Sequence, residues 1–293
     1  MTTLYEGAFA KINLTLDVLD KRADGYHDLK SVMQAISIRD DVEIDVDTDI
    51  PWSLECSMEG IPTDNRNLAW KAAEVFYKIT GLNTTGLSIR ITKRIPTEAG
   101  LGGGSADAAA VLIALNSLSS DPMTIDELKA LGNKLGADVP FCIETGSCVA
   151  MGTGDILKKT VSMPNCPIVI AKKGDGMSTP EAYRALDEKY NRFIEYKNAV
   201  DKLDILTSYS ESFNLHTYSK GLFNIFESVV EPCRPCVTEL KNVMLSCGAV
   251  SSMMSGSGTS VFGLFENEDD AKRAVDELTL RGADAHLCYP IKK

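Results

Sequence analysis

Long apolar runs are missing from this 293-residue chain. One charge-free stretch, Asn242 to Phe265, is long enough on paper to span a bilayer, but 12 of its 24 residues are Gly, Ser, Thr or Asn, which makes a poor membrane helix. Positive charge is short as well. The 30 Lys and Arg stand against 41 Asp and Glu, a formal net charge of −11, so an extended nucleic-acid or anionic-membrane surface, which needs a basic face, is not expected. Any anionic substrate must be caught locally. The opening residues, Met1 to Ala10, include Glu6 and show no basic region followed by an apolar run, so no secretory signal is expected there. The eight cysteines are scattered rather than dense, which argues for reduced, mostly buried thiols and a cytoplasmic address. One tight pair, Cys233 and Cys236, has no second cysteine pair or closely spaced histidine pair to complete a four-ligand metal site. Histidine is scarce at three, and a lone histidine is more often structural than functional.

What is present is ordinary for a globular enzyme: 44% hydrophobic and 24% charged residues, with chain enough for one or two packed cores. The first third alternates apolar and polar residues at strand period in Ile12–Leu16, Val42–Val46 and Leu87–Ile91. After Pro96 the period turns helical, with Ala108, Val111, Leu112 and Leu115 at i, i+3, i+4 and i+7. A second helix over Ile125–Leu135 is expected to close on a left-handed Gly136, before a loop Ala137-Asp138-Val139-Pro140. Beyond about residue 160 the pattern restarts. A strand is predicted at 167–171, helices at 180–190, 222–230 and 237–246, a strand at 260–265, a helix marked by Ala271, Ala274, Val275 and Leu278, and a closing strand at 285–289. No internal repeat or low-complexity linker is visible, and the Lys158-Lys159 and Pro164/Pro167 punctuation places a domain boundary near 160, giving domains 1–160 and 161–293. The second half reads as α+β.

The most informative segment is Pro96-Thr97-Glu98-Ala99-Gly100-Leu101-Gly102-Gly103-Gly104-Ser105-Ala106, which sets four glycines between a strand and a helix start. Glycine lets backbone N–H groups approach an anion, and the first helical turn adds unpaired donors and the positive end of its dipole. A polyphosphate suits that place, and a side chain at Gly103 is expected to obstruct it. Ser105 can cap the helix or face a phosphate or metal. Walker A is excluded because no lysine follows the glycines, and the dinucleotide fingerprint because Ser105 stands where a third glycine is needed.

Phosphoryl transfer needs an oriented hydroxyl, a place for its proton and positive charge on the moving group. Asp138, in a tight loop after a helix, can serve as the carboxylate or can simply hold its own turn. Lys11 interrupts an otherwise apolar strand start; inward it needs an anionic partner, outward it is only solvated. Tyr26 and His27, after the Asp24-Gly25 turn, can stack on a pyrimidine and bond its edge. Tyr183, in the Ser178–Tyr183 segment, is in phase with Leu186 as a core-facing helix residue would be.

Three segments in order, Ala8-Phe9-Ala10-Lys11-Ile12-Asn13-Leu14, the glycine-rich loop and Met254-Ser255-Gly256-Ser257-Gly258, resemble the three motifs of the GHMP kinases. Arg22-Ala23-Asp24-Gly25-Tyr26-His27, Leu135-Gly136-Ala137-Asp138-Val139-Pro140 and Ser178-Thr179-Pro180-Glu181-Ala182-Tyr183 narrow the resemblance, over nearly the whole chain, to the diphosphocytidyl-methylerythritol kinases. The chain departs from their usual pattern at Phe9, Ala106 and Thr259, which bears on loop geometry and removes no charged group. The resemblance implies a two-domain α+β fold, with an N-terminal ribosomal-protein-S5-like α/β domain and a C-terminal ferredoxin-like α+β domain. It implies ATP-dependent phosphorylation of the 2-hydroxyl of 4-diphosphocytidyl-2-C-methyl-D-erythritol, a step of the methylerythritol phosphate route to isoprenoid precursors. In it Asp138 would act as base beside Lys11, Asn13, Tyr26, His27 and Tyr183 would contact the substrate, and the 96–106 loop with Asn67 and Lys93 would hold ATP. Mg²⁺ is implied with ligands undefined, since no carboxylate cage is evident. The expected partner is a small molecule, a cytidyl diphosphate sugar alcohol, with no nucleic acid or membrane, on a monomer or weak homodimer. Homoserine or mevalonate kinase shares the three motifs but not the Asp24-Gly25-Tyr26-His27 turn; a non-catalytic binding protein would not need Asp138 and Lys11.

Overall fold

A computed structural model describes residues 2–49, 51–82, 84–190, 199–208 and 214–292. The chain forms two compact units whose segments interleave: Met1–Ala10, Ile38–Ile95 and Gly102–Thr145 make the first, Lys11–Ser37, Pro96–Leu101 and Gly146–Lys293 the second. Two 20-residue strands, β1 (Thr2–Lys21) and β2 (His27–Val46), run through both.

In the first unit, β4 (Leu87–Thr92) pairs antiparallel to the end of β2, with Val42 opposite Ile91, Ile44 opposite Ile89 and Val46 opposite Leu87. These are the positions that the strand alternation marked as apolar, and all six are buried. The short β3 (Ser53–Cys56) adds in parallel on the other side of β4. Four helices follow: α1 (Leu68–Thr80), α2 (Gly103–Ser117), α3 (Ile125–Asn133) and α4 (Val139–Glu144). Helix α2 is buried on every face from Ala106 to Leu112, not on one stripe, because its alanines are small enough to be enclosed all round. Helix α3 opens on a capping box between Thr124 and Glu127. Its other end corrects the sequence expectation. The helix stops at Asn133 with Lys134 in right-handed conformation, and Gly136 is not left-handed; its N–H instead returns to the Gly132 carbonyl at 3.2 Å. Part of the expected 137–140 loop is the first turn of α4, with Pro140 where its missing N–H costs nothing.

In the second unit, β5 (Ser147–Gly152) pairs with the start of β2, β6 (Ile156–Lys159) pairs with β5, and β8 (Phe223–Asn224) lies parallel to β1 at Thr15 and Leu16. A separate antiparallel sheet has the order β11-β7-β10-β9, with β7 Ile168–Lys172, β9 Ser251–Met254, β10 Val261–Leu264 and β11 Asp284–Cys288. That order is the expected ferredoxin-like one. Among the described residues, the unit's helices are α5 (Thr179–Lys189), α6 (Ala199–Thr207), α7 (Leu215–Ser219), α8 (Glu227–Val230), α9 (Pro235–Ser246) and α10 (Glu268–Leu280). The predicted helix over 222–230 is corrected to strand β8 followed by the single turn α8, because Asn224 spends its side chain on distant backbone. All eight cysteines are free thiols, and among the described residues no helix is long and apolar enough to cross a membrane.

Candidate active site

The glycine-rich loop leaves β4 and ends at the N-terminus of α2. Gly102 occupies the cap position at φ 74°, and no side chain caps the helix. The N–H groups of its first turn are therefore not taken by a capping side chain, and the dipole end is available to an anion. Gly100 is also left-handed, at φ 70°. A Cβ there would run into the carbonyl oxygen of Ser255 and lie 3.0 Å from its carbonyl carbon, so this glycine is required twice over. Gly103 departs from expectation. A Cβ on it would face Ile95 and Lys93, at 3.2 and 3.4 Å, so a substituent would press on packed protein and not enter an open path.

Lys93 lies beneath this helix start. Its ammonium is 3% exposed and is shared by Asp40 and by Asp107, the latter at 2.7 Å. Burial opposes the charge on Lys93, but the two carboxylates outweigh it and hold its pKa above the ordinary lysine value. Burial pushes the Asp107 carboxyl up to about 7, against the pull of Lys93. Asp40 further accepts from the N–H groups of Arg94 and Ile95, at 2.5 and 2.8 Å. Lys93, expected beside ATP, thus anchors the strand end that feeds the loop. Removing it would leave two buried carboxylates together, at a cost of about 3–5 kcal/mol. Lys93→Met should lower the melting midpoint by roughly 10 °C. An acid whose folded pKa is raised stabilises the fold only where it is protonated, so acidification from pH 7 toward 5 should recover part of that loss. A melting midpoint within 2 °C of the parent's, on the order of one kcal/mol or less, would contradict the anchoring role. Asn67, the other residue expected near ATP, caps α1: its side-chain oxygen accepts from Ala69 N–H at 2.9 Å and its amide donates to the Pro62 carbonyl at 2.8 Å.

Ser105 lies in the first turn of α2, and a Cβ on Gly136 would stand 3.9 Å from its hydroxyl oxygen. The turn Gly136-Ala137-Asp138 is therefore packed beside the start of the glycine-rich helix. Asp138 sits at the cap position of α4 with φ −82° and ψ −16°, and its side chain does not cap that helix. In the second unit, Lys11 is buried and its ammonium donates to Asn13 Oδ1 at 2.6 Å. Asn13 in turn donates to Ser31 Oγ at 2.8 Å. The inward reading of Lys11 is the observed one. Backbone ties join this strand to the other two glycine-containing motifs: Lys11 N–H donates to the Leu101 carbonyl at 3.0 Å, and Asn13 N–H to Ser255 Oγ at 3.3 Å.

A second cluster forms around His27. The imidazole is buried, stacks on Tyr183 with ring centroids 4.7 Å apart and 24° between planes, and meets Asp187 through Nε2 at 2.7 Å. Lys21 also pairs with Asp187. Burial opposes the charge on Asp187, but hydrogen bonds from Lys21 and His27 hold its carboxyl below the ordinary range. Tyr183 meets the edge of Phe226 at 4.9 Å. The rings of His27 and Tyr183 are already in contact, and Tyr26, 67% exposed, is the aromatic ring of this segment that faces solvent.

Among the described residues no group of three His, Cys, Asp or Glu could hold a metal ion. The Ser105 hydroxyl, in the first turn of α2, is a side-chain donor that would suit a cation brought in on phosphates and water rather than one caged by protein. Three polar residues, two of them buried, escaped the sequence reading. Asp17 on β1 is buried with Oδ1 unpartnered, and burial pushes its carboxyl up to about 6. Asn224 and Glu227 bind the backbone of the Met254 motif. Their signal, a polar residue at an apolar position, was visible, but its partners were not.

Two family models match the chain, the GHMP kinases N terminal domain over residues 67–146 and the GHMP kinases C terminal over residues 210–284. The chain is 41% identical over 280 residues to a protein of Alkaliphilus metalliredigens named 4-diphosphocytidyl-2-C-methyl-D-erythritol kinase, covering 95% of this chain and 93% of that one. A protein of the same name from Clostridium beijerinckii is 38% identical over 284 residues, covering 97% and 99%. Among solved structures, a 4-(cytidine 5'-diphospho)-2C-methyl-D-erythritol kinase superposes with a TM-score of 0.79 at 30% identity, over 99% of this chain and 100% of that one. The Methanococcus jannaschii mevalonate kinase superposes at 0.76 with 16% identity, over 99% and 98%, which shows a shared fold alone. With both halves of the family pattern matched and relatives of this identity along nearly the whole length, the chain is a GHMP kinase, on the branch of the 4-diphosphocytidyl-2-C-methyl-D-erythritol kinases.

Proposed function

We propose that the protein transfers the γ-phosphoryl group of ATP to the 2-hydroxyl of 4-diphosphocytidyl-2-C-methyl-D-erythritol. An uncapped glycine helix start suits any kinase of this family. The observation that carries the narrower reading is the His27 cluster, in which a buried imidazole is fixed by Tyr183 and Asp187 next to an exposed Tyr26. Such an aromatic cluster suits a nucleobase and has no evident use for homoserine or mevalonate. The similarity to proteins of that name supports it.

In this reading the first-turn N–H groups of α2 take the ATP phosphates, with Ser105 facing them. Mg²⁺, carried on the phosphates, would neutralise charge on the transferring group. Asp138 accepts the proton of the substrate hydroxyl, Lys11 supplies positive charge, and Asn13 holds Lys11 and contacts the substrate. The catalytic domains are taken as 1–160 and 161–293, and the enzyme as a cytoplasmic monomer or weak homodimer without nucleic-acid or membrane partners, in keeping with its charge of −11. The test is ADP release from ATP with the cytidyl substrate against homoserine, mevalonate and galactose. Turnover confined to the cytidyl substrate is expected; preference for another acceptor would overturn the reading. His27→Ala should raise KM for the cytidyl substrate by roughly tenfold or more with little change for ATP. Equal losses for both would make His27 structural only.

A further inference from the structure

The Met254-Ser255-Gly256 segment is held from behind by the side chains of Asn224 and Glu227. Asn224, 4% exposed, donates one amide hydrogen to the Met254 carbonyl and the other to the Gly256 carbonyl, each at 2.8 Å, while its Oδ1 accepts from Phe226 N–H at 3.0 Å. The amide orientation is fixed by chemistry, because the flipped group would set an oxygen against two carbonyl oxygens. Glu227 accepts from Met254 N–H at 2.8 Å and is itself held by Lys241 at 2.7 Å. On the opposite side of the same segment, Ser255 Oγ donates to the Gly100 carbonyl at 3.2 Å and accepts from Asn13 N–H at 3.3 Å. Asn13 Oδ1 holds the Lys11 ammonium. Gly100 and Gly256 approach so closely that a Cβ on Gly256 would lie 3.0 Å from the Gly100 backbone.

We infer that Asn224 is a positioning residue: by pinning the carbonyls of Met254 and Gly256 it sets Ser255, and Ser255 sets both Gly100 and the Asn13–Lys11 pair. The side chain contacts no reacting atom and acts through backbone. Two donors on two carbonyls leave the segment one register, which a single bond would not. Its removal would orphan two acceptors, so the segment would shift before it broke. A shift passed to Lys11 and Gly100 lowers turnover even though every group named as reactive is still present.

The role in catalysis rests on the kinase reading above; the role in positioning does not, and the test separates them. Asn224→Asp is isosteric and keeps the acceptor for Phe226 N–H but has no donors; Asn224→Leu replaces the amide with an apolar group. Amide hydrogen exchange reports the linkage directly, because Asn13 N–H is bonded to Ser255 Oγ. In both folded variants, exchange at Asn13 should accelerate by about tenfold or more over the parent, while amides of the β7–β10 ladder keep their protection. Kinetics supply the second readout. With the phosphoryl acceptor of the parent, kcat should fall by about tenfold or more in Asn224→Asp and in Ser255→Ala, and the double variant should lose little beyond the worse single one. Unchanged Asn13 exchange in a folded variant overturns the inference whichever acceptor the enzyme uses, and additive losses in kcat overturn it too. A parent inactive on the cytidyl substrate would sink the proposed function and leave the exchange result to decide this one.

Discussion

Asp138→Asn should lower turnover by about 10²–10⁴-fold while ATP still binds, because the amide keeps the shape of the carboxylate and cannot take a proton. The expectation draws on local structure. Asp138 stands where a capping side chain would be of use to α4, yet it does not cap the helix. The turn that carries it packs beside Ser105 at the start of the glycine-rich helix. The turn that carries Asp138 thus lies next to the glycine-rich helix start, where the proposed base is needed. The check is kcat and KM for both substrates on protein with parental circular dichroism. Turnover within about threefold of the parent would remove Asp138 from the mechanism, since that is far below what a general base contributes. Lys11→Met, alone and combined with Asp138→Asn, would show by non-additivity whether the two act as a unit.

The second large effect belongs to Gly100. Alanine there must adopt φ near 70° and must also displace the Ser255 backbone, so the loop and the Met254 motif cannot both keep their places. Displacement of roughly 1 Å at a reacting centre can cost on the order of 10²-fold, and kcat/KM for ATP in Gly100→Ala should fall by about that factor. The measurement is ATP kinetics beside an unfolding curve. A folded variant with parental ATP kinetics would show that contact between the two motifs has no part in binding phosphates.

The strands and the glycine-rich helix start were legible because each depends on local chemistry. Val42, Ile44 and Val46 alternate with charged residues and face Ile91, Ile89 and Leu87; four glycines before an alanine-rich segment do become a strand-to-helix turn. Three readings failed where tertiary contacts outweighed local pattern. Gly136 has the composition of a left-handed cap, but Lys134 closes the helix and α4 starts almost at once. Residues 222–230 carry a helical period, yet Asn224 reaches carbonyls 30 and 32 residues away and β1 takes the segment as a strand. Gly103 was read as room for a phosphate, and its Cβ direction is filled by Ile95 and Lys93. Within the candidate site, Lys11 and His27 turn inward, but the partners that hold them, Asn13 for one and Asp187 for the other, could be identified only in three dimensions. Lys93 illustrates the converse. A lysine near a phosphate loop invites a phosphate, and only Asp40, 53 residues before it, and Asp107, 14 residues after it, reveal that its charge is already met.

The acceptor defines this enzyme, and the identity of the product is the most direct measure of it. Purified protein given ATP, Mg²⁺ and 4-diphosphocytidyl-2-C-methyl-D-erythritol should convert the substrate stoichiometrically with ADP formation, and ³¹P NMR should show one new monoester resonance assignable to the 2-hydroxyl, beside an unaltered diphosphate. If the cytidyl compound were recovered unchanged while mevalonate or homoserine was phosphorylated under the same conditions, the account would be contradicted.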